Sequence, residues 1–207
     1  MDNRLYDGNE GHPIFIFAHG AGAGMDHDFM NEVAKQVAEH DLRVVRFNFP
    51  YMVKRAEDGK RRPPDRAPKL LEVFSEVIES LAPSKVVIGG KSMGGRMASL
   101  LAEHPNVVAV TCLGFPFHPP GKPEKFKGEH LATFQKPCLI LQGERDAFGS
   151  RDEFEHFELS DSIQTSFIPD GDHSFKPRKR SGHTEAGNLS LAAGKVAQFV
   201  KEQLNAE

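Results

Sequence analysis

The sequence predicts an α/β fold, a three-layer α/β/α sandwich on a mostly parallel, doubly wound sheet of about six strands. Three observations carry this. Short, nearly continuous apolar runs recur along the 207 residues, as strands do when both faces of a sheet are covered. Apolar residues between the runs recur with a helical period, which is the alternation expected of a doubly wound sheet. Chemistry-bearing residues cluster just past the runs, where open α/β sheets carry their ligands. A single domain over 1–207, large enough to stand without staples, is expected at this length.

The elements follow in order. Leu5-Tyr6 supplies at most one short edge strand. Ile14 to Ala18 is the first strong run, and His19-Gly20-Ala21-Gly22-Ala23-Gly24 follows it. A helix begins near Asp28, with Asp26 and His27 placed to cap it, and puts Phe29, Val33, Val37 and Ala38 on one face. Arg43 to Phe47 is the next strand. Lys69 to Leu81 is helical, with Leu70, Val73, Phe74, Val77 and Ile78 on one face. Strands at 85–89, 107–113, 137–142 and 162–168 and helices at 93–103 and 189–204 complete the pattern. Two segments fit neither period. Asn48 to Pro68 holds Lys54-Arg55, Lys60-Arg61-Arg62 and Pro63-Pro64, and Phe115 to Phe134 holds four prolines. Loops of that length in a compact domain are uncommon and often functional. Here they read either as mobile surface or as the roof of an otherwise open site.

Composition removes several classes of function. The net charge is −3, whereas a general nucleic-acid binder is basic. No apolar stretch is long enough for a membrane-spanning helix. Met1 to Asp7 lacks an apolar signal core and Leu204 to Glu207 lacks a lipidation signal. Cys112 and Cys138 lie inside strand-like runs and read as buried free thiols. A soluble cytoplasmic protein is expected. The ten histidines are scattered, and neither H-x-x-x-H nor C-x-x-C occurs, so neither a metal nor a cofactor is expected.

The strongest local signal is Gly90-Lys91-Ser92-Met93-Gly94-Gly95, between the run Val86-Val87-Ile88 and a helical segment. G-x-S-x-G in that context reads as a nucleophile elbow. A sharp, strained turn presents the Ser92 hydroxyl above the sheet edge, and side chains at 90 and 94 would collide with the turn. The helix N-terminus beside it offers free N–H groups to an oxyanion. The phosphate-loop and dinucleotide patterns do not fit these residues. The glycine loop after the first strand is the expected source of the second oxyanion donor, Ala21 first and Gly22 next, with Met93 as the first donor. His19 reads as a structural residue of that loop. Asp146, in Gly143-Glu144-Arg145-Asp146, is placed to orient a histidine, with Glu144 and Asp152 as competitors. His173, in Gly171-Asp172-His173-Ser174, is the candidate base, with His183 as competitor.

Each of these residues has a plain explanation as turn or loop chemistry. Together they fall in the order Ser92, Asp146, His173, each past a different strand, which is the chain order of an α/β-hydrolase triad. On these residues the sequence resembles the α/β-hydrolase superfamily from Ile14 to about Val200. The segments His19 to Ala23, Gly90 to Arg96 and Lys176 to Lys179 are similar to the small bacterial hydrolases related to the animal Tex30 and NSL-complex subunit 3 domain. The resemblance implies a serine triad and says little about substrate. The family commonly starts with an antiparallel strand pair, for which this chain has little room.

The expected activity is hydrolysis of a small-molecule carboxylic ester or thioester through an acyl-enzyme at Ser92. A non-catalytic interaction module on the same fold and an acyltransferase are the alternatives. Phe15, Phe17, Phe47, Phe49, Phe115, Phe117 and Phe148 read as core before they read as acyl pocket. The basic residues of 176–180, with Lys54, Arg55 and Arg61, read as solvated loop charge before they read as an anion site.

Overall fold

A computed structural model describes residues 3–206. Met1, Asp2 and Glu207, which the domain reading over 1–207 includes, lie outside the described residues. The sheet has seven strands: β1 (Arg4–Asp7), β2 (Ile14–Ala18), β3 (Arg43–Phe47), β4 (Val86–Lys91), β5 (Val107–Leu113), β6 (Cys138–Gly143) and β7 (Ile163–Ile168). Their order is β1-β3-β2-β4-β5-β6-β7. All neighbouring pairs are parallel except β1 with β3. The seventh strand is β1, too short and too polar to stand out as an apolar run.

Alternation along the strands builds two cores. Ile16, Ala18, Val45, Phe47, Val86 and Ile88 face one side, where they meet α2 (Pro50–Asp58), α3 (Ala67–Glu79) and α4 (Met93–Leu100). Phe15, Phe17, Val44 and Val87 face the other, where they meet α1 (Asp28–Ala38) and α5 (Glu185–Asn205). The central strands are therefore apolar on both faces, which is why they read as continuous runs. Fully burying one phenylalanine contributes roughly 1.5–3 kcal/mol, and Phe15, Phe17, Phe47, Phe49, Phe115 and Phe117 are all buried here. Cys112 and Cys138 are free and buried, and hydrogen bonding to Cys138, together with burial in the core, pushes the Cys112 thiol pKa upward.

The two irregular segments are not plain loops. Residues 50–58 form α2, which starts at Pro50 and ends at Gly59 with φ 70°. Proline in the first turn and a left-handed glycine after the last are helix boundaries rather than breaks. Tyr51 and Met52 of α2 sink into the core. The second segment buries Phe115, Phe117, Leu131 and Phe134 and holds a 3₁₀ helix at Glu129–Thr133. Both segments are thus anchored by apolar side chains. Among the described residues, no helix is long and apolar enough to cross a membrane.

Candidate active site

The site forms where β4, β6 and β7 end. Ser92 joins β4 to α4 with φ 51° and ψ −115°, a left-handed backbone that a non-glycine residue holds only under constraint. The constraint is visible. The Ser92 N–H donates to Leu113 O at 3.0 Å, and Ser92 O accepts from the Arg96 N–H at 3.0 Å. A Cβ at Gly90 would lie 2.4 Å from Gly94 C, and one at Gly94 would lie 2.4 Å from Ala18 O. The turn closes only because these two positions are bare.

His173 lies past β7. Its turn is held by Asp172, whose Oδ1 accepts from the N–H groups of Ser174 and Lys176. Asn188 of α5 donates to the carbonyls of Pro169 and Phe175 on either side. Phe148 stacks on the imidazole, with ring centroids 4.1 Å apart. Asp146, past β6, is wholly buried. Its carboxylate accepts from the Phe148 N–H at 2.8 Å and from Gln142 Nε2 at 3.0 Å.

These elements bring the three side chains into line. His173 Nδ1 lies 2.8 and 3.0 Å from the two Asp146 oxygens, and Nε2 lies 2.8 Å from Ser92 Oγ. A carboxylate only accepts, so Nδ1 carries the proton and Nε2 is left to accept from the Ser92 hydroxyl. Burial holds the His173 pKa below its ordinary value of 6.5. Asp146 pulls against that shift and the nearby Lys91 charge adds to it. The imidazole is therefore neutral at neutral pH, as a base must be.

The competing residues lie elsewhere. Glu144 accepts from the Asp170 N–H and pairs with Arg151. Asp152 is exposed on a 3₁₀ helix at Arg151–His156, and His183 is exposed ahead of α5. His19 is buried and keeps the glycine loop in place. Its Nδ1–H donates to Gly20 O at 2.7 Å, and its Nε2 accepts from the Phe49 N–H at 3.0 Å. Desolvation lowers its pKa to about 4, so it stays neutral. His27 caps α1, its Nδ1 accepting from the Phe29 N–H at 3.3 Å.

Met93 is the first residue of α4, so its N–H is one of those that a helix leaves without an internal partner. Ala21 and Gly22 are exposed on the facing loop. Three carbonyls of that loop are tied to α2. Those of Gly20 and Ala21 accept from the Tyr51 hydroxyl at 3.2 and 2.9 Å, and that of Gly22 accepts from Arg55 at 2.9 Å. Tyr51, Arg55 and Gln142 are supporting residues that sequence motifs do not reveal. Only the strand-end position of Gln142, four residues before Asp146, hints at its part.

A cavity of about 290 Å³ opens at Ser92 and His173. Ala21, Ala23, Phe29, Met30 and Phe148 give it apolar walls, and Lys91 lines it as well. Of the seven phenylalanines considered from sequence, only Phe148 lines this cavity. Neither irregular segment roofs it, because their apolar side chains are drawn into the core. Met52, Arg55 and Ala56 of α2 border a separate hollow beyond Ala23 and His27. Pro123, Phe126, Glu129 and Ala132 line a cavity of about 470 Å³ elsewhere. Two residues of the basic stretch have acidic partners, while Lys179 and Arg180 are exposed. Arg178 pairs with Asp170 at 2.5 Å and Lys176 faces Glu185 at 3.6 Å.

Solved structures share this architecture. A dienelactone hydrolase from Anabaena variabilis is 21% identical, with a TM-score of 0.72 over 97% of this chain and 91% of that one. Est1E from Butyrivibrio proteoclasticus, with ferulic acid bound, is 18% identical, with a TM-score of 0.70 over 98% and 95%. A lidless α/β serine hydrolase from Xanthomonas campestris is 18% identical, with a TM-score of 0.67 over 96% and 88%. At these identities the likeness is one of fold. No curated protein matches the chain in sequence. Residues 11–201 match the family described as an alpha/beta hydrolase domain, and the chain belongs to that family.

Proposed function

We propose that this hydrolase cleaves a small carboxylic ester or thioester through an acyl-enzyme at Ser92. The observation that carries the reading is the aligned pair of contacts, Ser92 Oγ to His173 Nε2 and His173 Nδ1 to Asp146. Nothing in the packing of a scaffold needs that line, whereas nucleophilic catalysis does.

His173 Nε2 takes the Ser92 proton as Oγ bonds to the carbonyl carbon. The electron pair of the C=O bond moves to oxygen, and the N–H groups of Met93 and of Ala21 or Gly22 receive that charge. The tetrahedral centre then expels the alkoxide or thiolate, which leaves with the proton from Nε2. Water repeats the sequence on the acyl-enzyme and frees Ser92. Asp146 holds the imidazole tautomer throughout and stabilises the imidazolium. Each oxyanion donor is worth about 10²–10³ in kcat.

The cavity sits at the small end of the roughly 300–1,000 Å³ range of ligand sites and its walls are mostly apolar, which favours a short acyl group. The dienelactone hydrolase and the ferulic acid bound to Est1E add a precedent for small substrates on this fold. The narrower likeness to the Tex30 and NSL-complex subunit 3 relatives rests on the segments quoted from the sequence. Two free thiols fit a reducing compartment, and we assign the chain to the cytoplasm.

The test is labelling with a fluorophosphonate, read by intact mass, on the wild type and on Ser92→Ala and His173→Ala. One adduct per wild-type chain, lost in both variants, is expected. A folded wild type that takes no label overturns the reading in favour of an interaction module. Esters of graded acyl length then measure the pocket.

A further inference from the structure

Lys91 stands immediately before Ser92, and its side chain stays inside the protein. It is 8% exposed. Its Nζ donates to the carbonyl oxygen of His173 at 2.5 Å and stands 5.6 Å from the centroid of the Phe29 ring. Gly114, with φ 67°, makes the room. A Cβ there would lie 2.9 Å from Lys91 Nζ and 3.3 Å from His173 Nδ1. One bare position thus touches both groups, which puts ammonium and imidazole within about 6 Å, the range in which a charge changes a neighbour's proton affinity.

Burying an ammonium is costly, and an apolar side chain of similar length would pack here at lower cost. A purely structural part is therefore a poor account of Lys91. We propose that Lys91 is a positioning residue for the catalytic base: its ammonium tethers the His173 main chain beside Ser92 and sets a positive charge against the imidazole that keeps Nε2 free to accept the serine proton. This rests on the reading of Ser92 as nucleophile and His173 as base.

The charges around the imidazole come from three places. Asp146 at the end of β6 and Asp172 on the histidine's own turn favour the protonated ring, and Lys91 at the end of β4 opposes them. Phe148 on the ring face is neutral. Desolvation lowers the Lys91 pKa to about 8, with Asp146 and Asp172 resisting. The ammonium is therefore charged at neutral pH and loses its charge in mildly alkaline solution.

Lys91→Met keeps the length and removes both tether and charge. The rate of fluorophosphonate labelling is measured from acid to alkaline pH in wild type and variant, beside a proton-NMR titration of the His173 Cε1–H. The variant's acid midpoint should rise by about one pH unit. Its deficit should then be about tenfold larger well below the wild-type acid midpoint than at pH 9, where wild-type Lys91 is itself uncharged. The NMR midpoint should move by the same amount. A uniform rate loss with unmoved midpoints overturns the proposal and leaves Lys91 a packing residue. If the wild type takes no label, the hydrolase reading fails, and the NMR titration still decides what Lys91 does to His173. If Lys91→Met does not fold, the wild type alone decides: its His173 signal should show a second inflection near pH 8, and a flat trace there overturns the proposal.

Discussion

On the proposed mechanism Ser92, His173 and Asp146 act as one relay, so removing any member should disable the whole. Ser92→Ala and His173→Ala should each lower kcat by at least about 10⁴-fold, and the double variant should fall little further. Steady-state kinetics on a short-chain ester checks this, with additive losses as the contrary outcome. The pH profile belongs to the same scale. On the same proposal the neutral imidazole is the active form, and burial holds its pKa below 6.5. The kcat/KM profile should therefore be flat near neutrality and fall on acidification through a midpoint below 6.5. A midpoint above 6.5 would mean that Asp146 outweighs desolvation.

At the scale of elements, the site depends on α2, which does not touch the reacting atoms. Tyr51 reaches from α2 to two carbonyls of the glycine loop, and burial pushes its phenol pKa upward, so it remains an O–H donor. Tyr51→Phe keeps the ring in the core and frees the loop. Losing this one shared hydrogen bond costs roughly 0.5–1.5 kcal/mol, spread between stability and the aim of the proposed oxyanion donors at Ala21 and Gly22. A fall of about five- to tenfold in kcat with KM little changed is the expected result. A variant equal to wild type would show that the loop holds its shape without α2. Gly94→Ala tests the elbow in the same way, because the new methyl would meet Ala18 O at 2.4 Å. Overpacking of this kind costs about 1–3 kcal/mol, visible as a lower midpoint in urea unfolding.

Over the whole molecule, buried titratable groups set how stability follows pH. His19 has a folded pKa of about 4 against an ordinary value of 6.5. The unfolded chain therefore binds a proton between these values that the folded chain refuses. Its contribution is unaffected above 6.5 and is lost progressively as the pH falls toward 4, by about 3 kcal/mol at most. Asp170 prefers its charged form, with Arg178 holding its pKa down at about 2. Its contribution has the same sign and is lost at lower pH, as the pH falls from the ordinary value of 3.8 through about 2. Urea unfolding at pH 7 and pH 4.5 should show the loss, and His19→Gln should shrink it. Equal pH dependence in the two proteins would assign the effect to other groups.

The layered α/β architecture is legible in the residue pattern alone, because strands covered on both faces must be apolar at every position and their helices must be apolar on one. The pattern also marks Ser92, since a closed elbow demands bare positions at 90 and 94 in any fold that uses it. Local rules went less far where signals compete. Pro50 and Gly59 bound a helix, yet the basic residues and prolines beyond them gave the stretch the look of a loop. β1 is four residues long, and an edge strand covered on fewer sides carries no continuous apolar run. Which groups meet depends on the folded chain. Asp146 and not Glu144 faces His173, because Glu144 is drawn to Asp170 and Arg151. Lys91, Gln142 and Tyr51 support the site across separations of 82, 4 and 30 residues. The two long contacts depend on where strands end in space, and the short one depends on a buried carboxylate needing another donor, and neither is written in periodicity or in any motif.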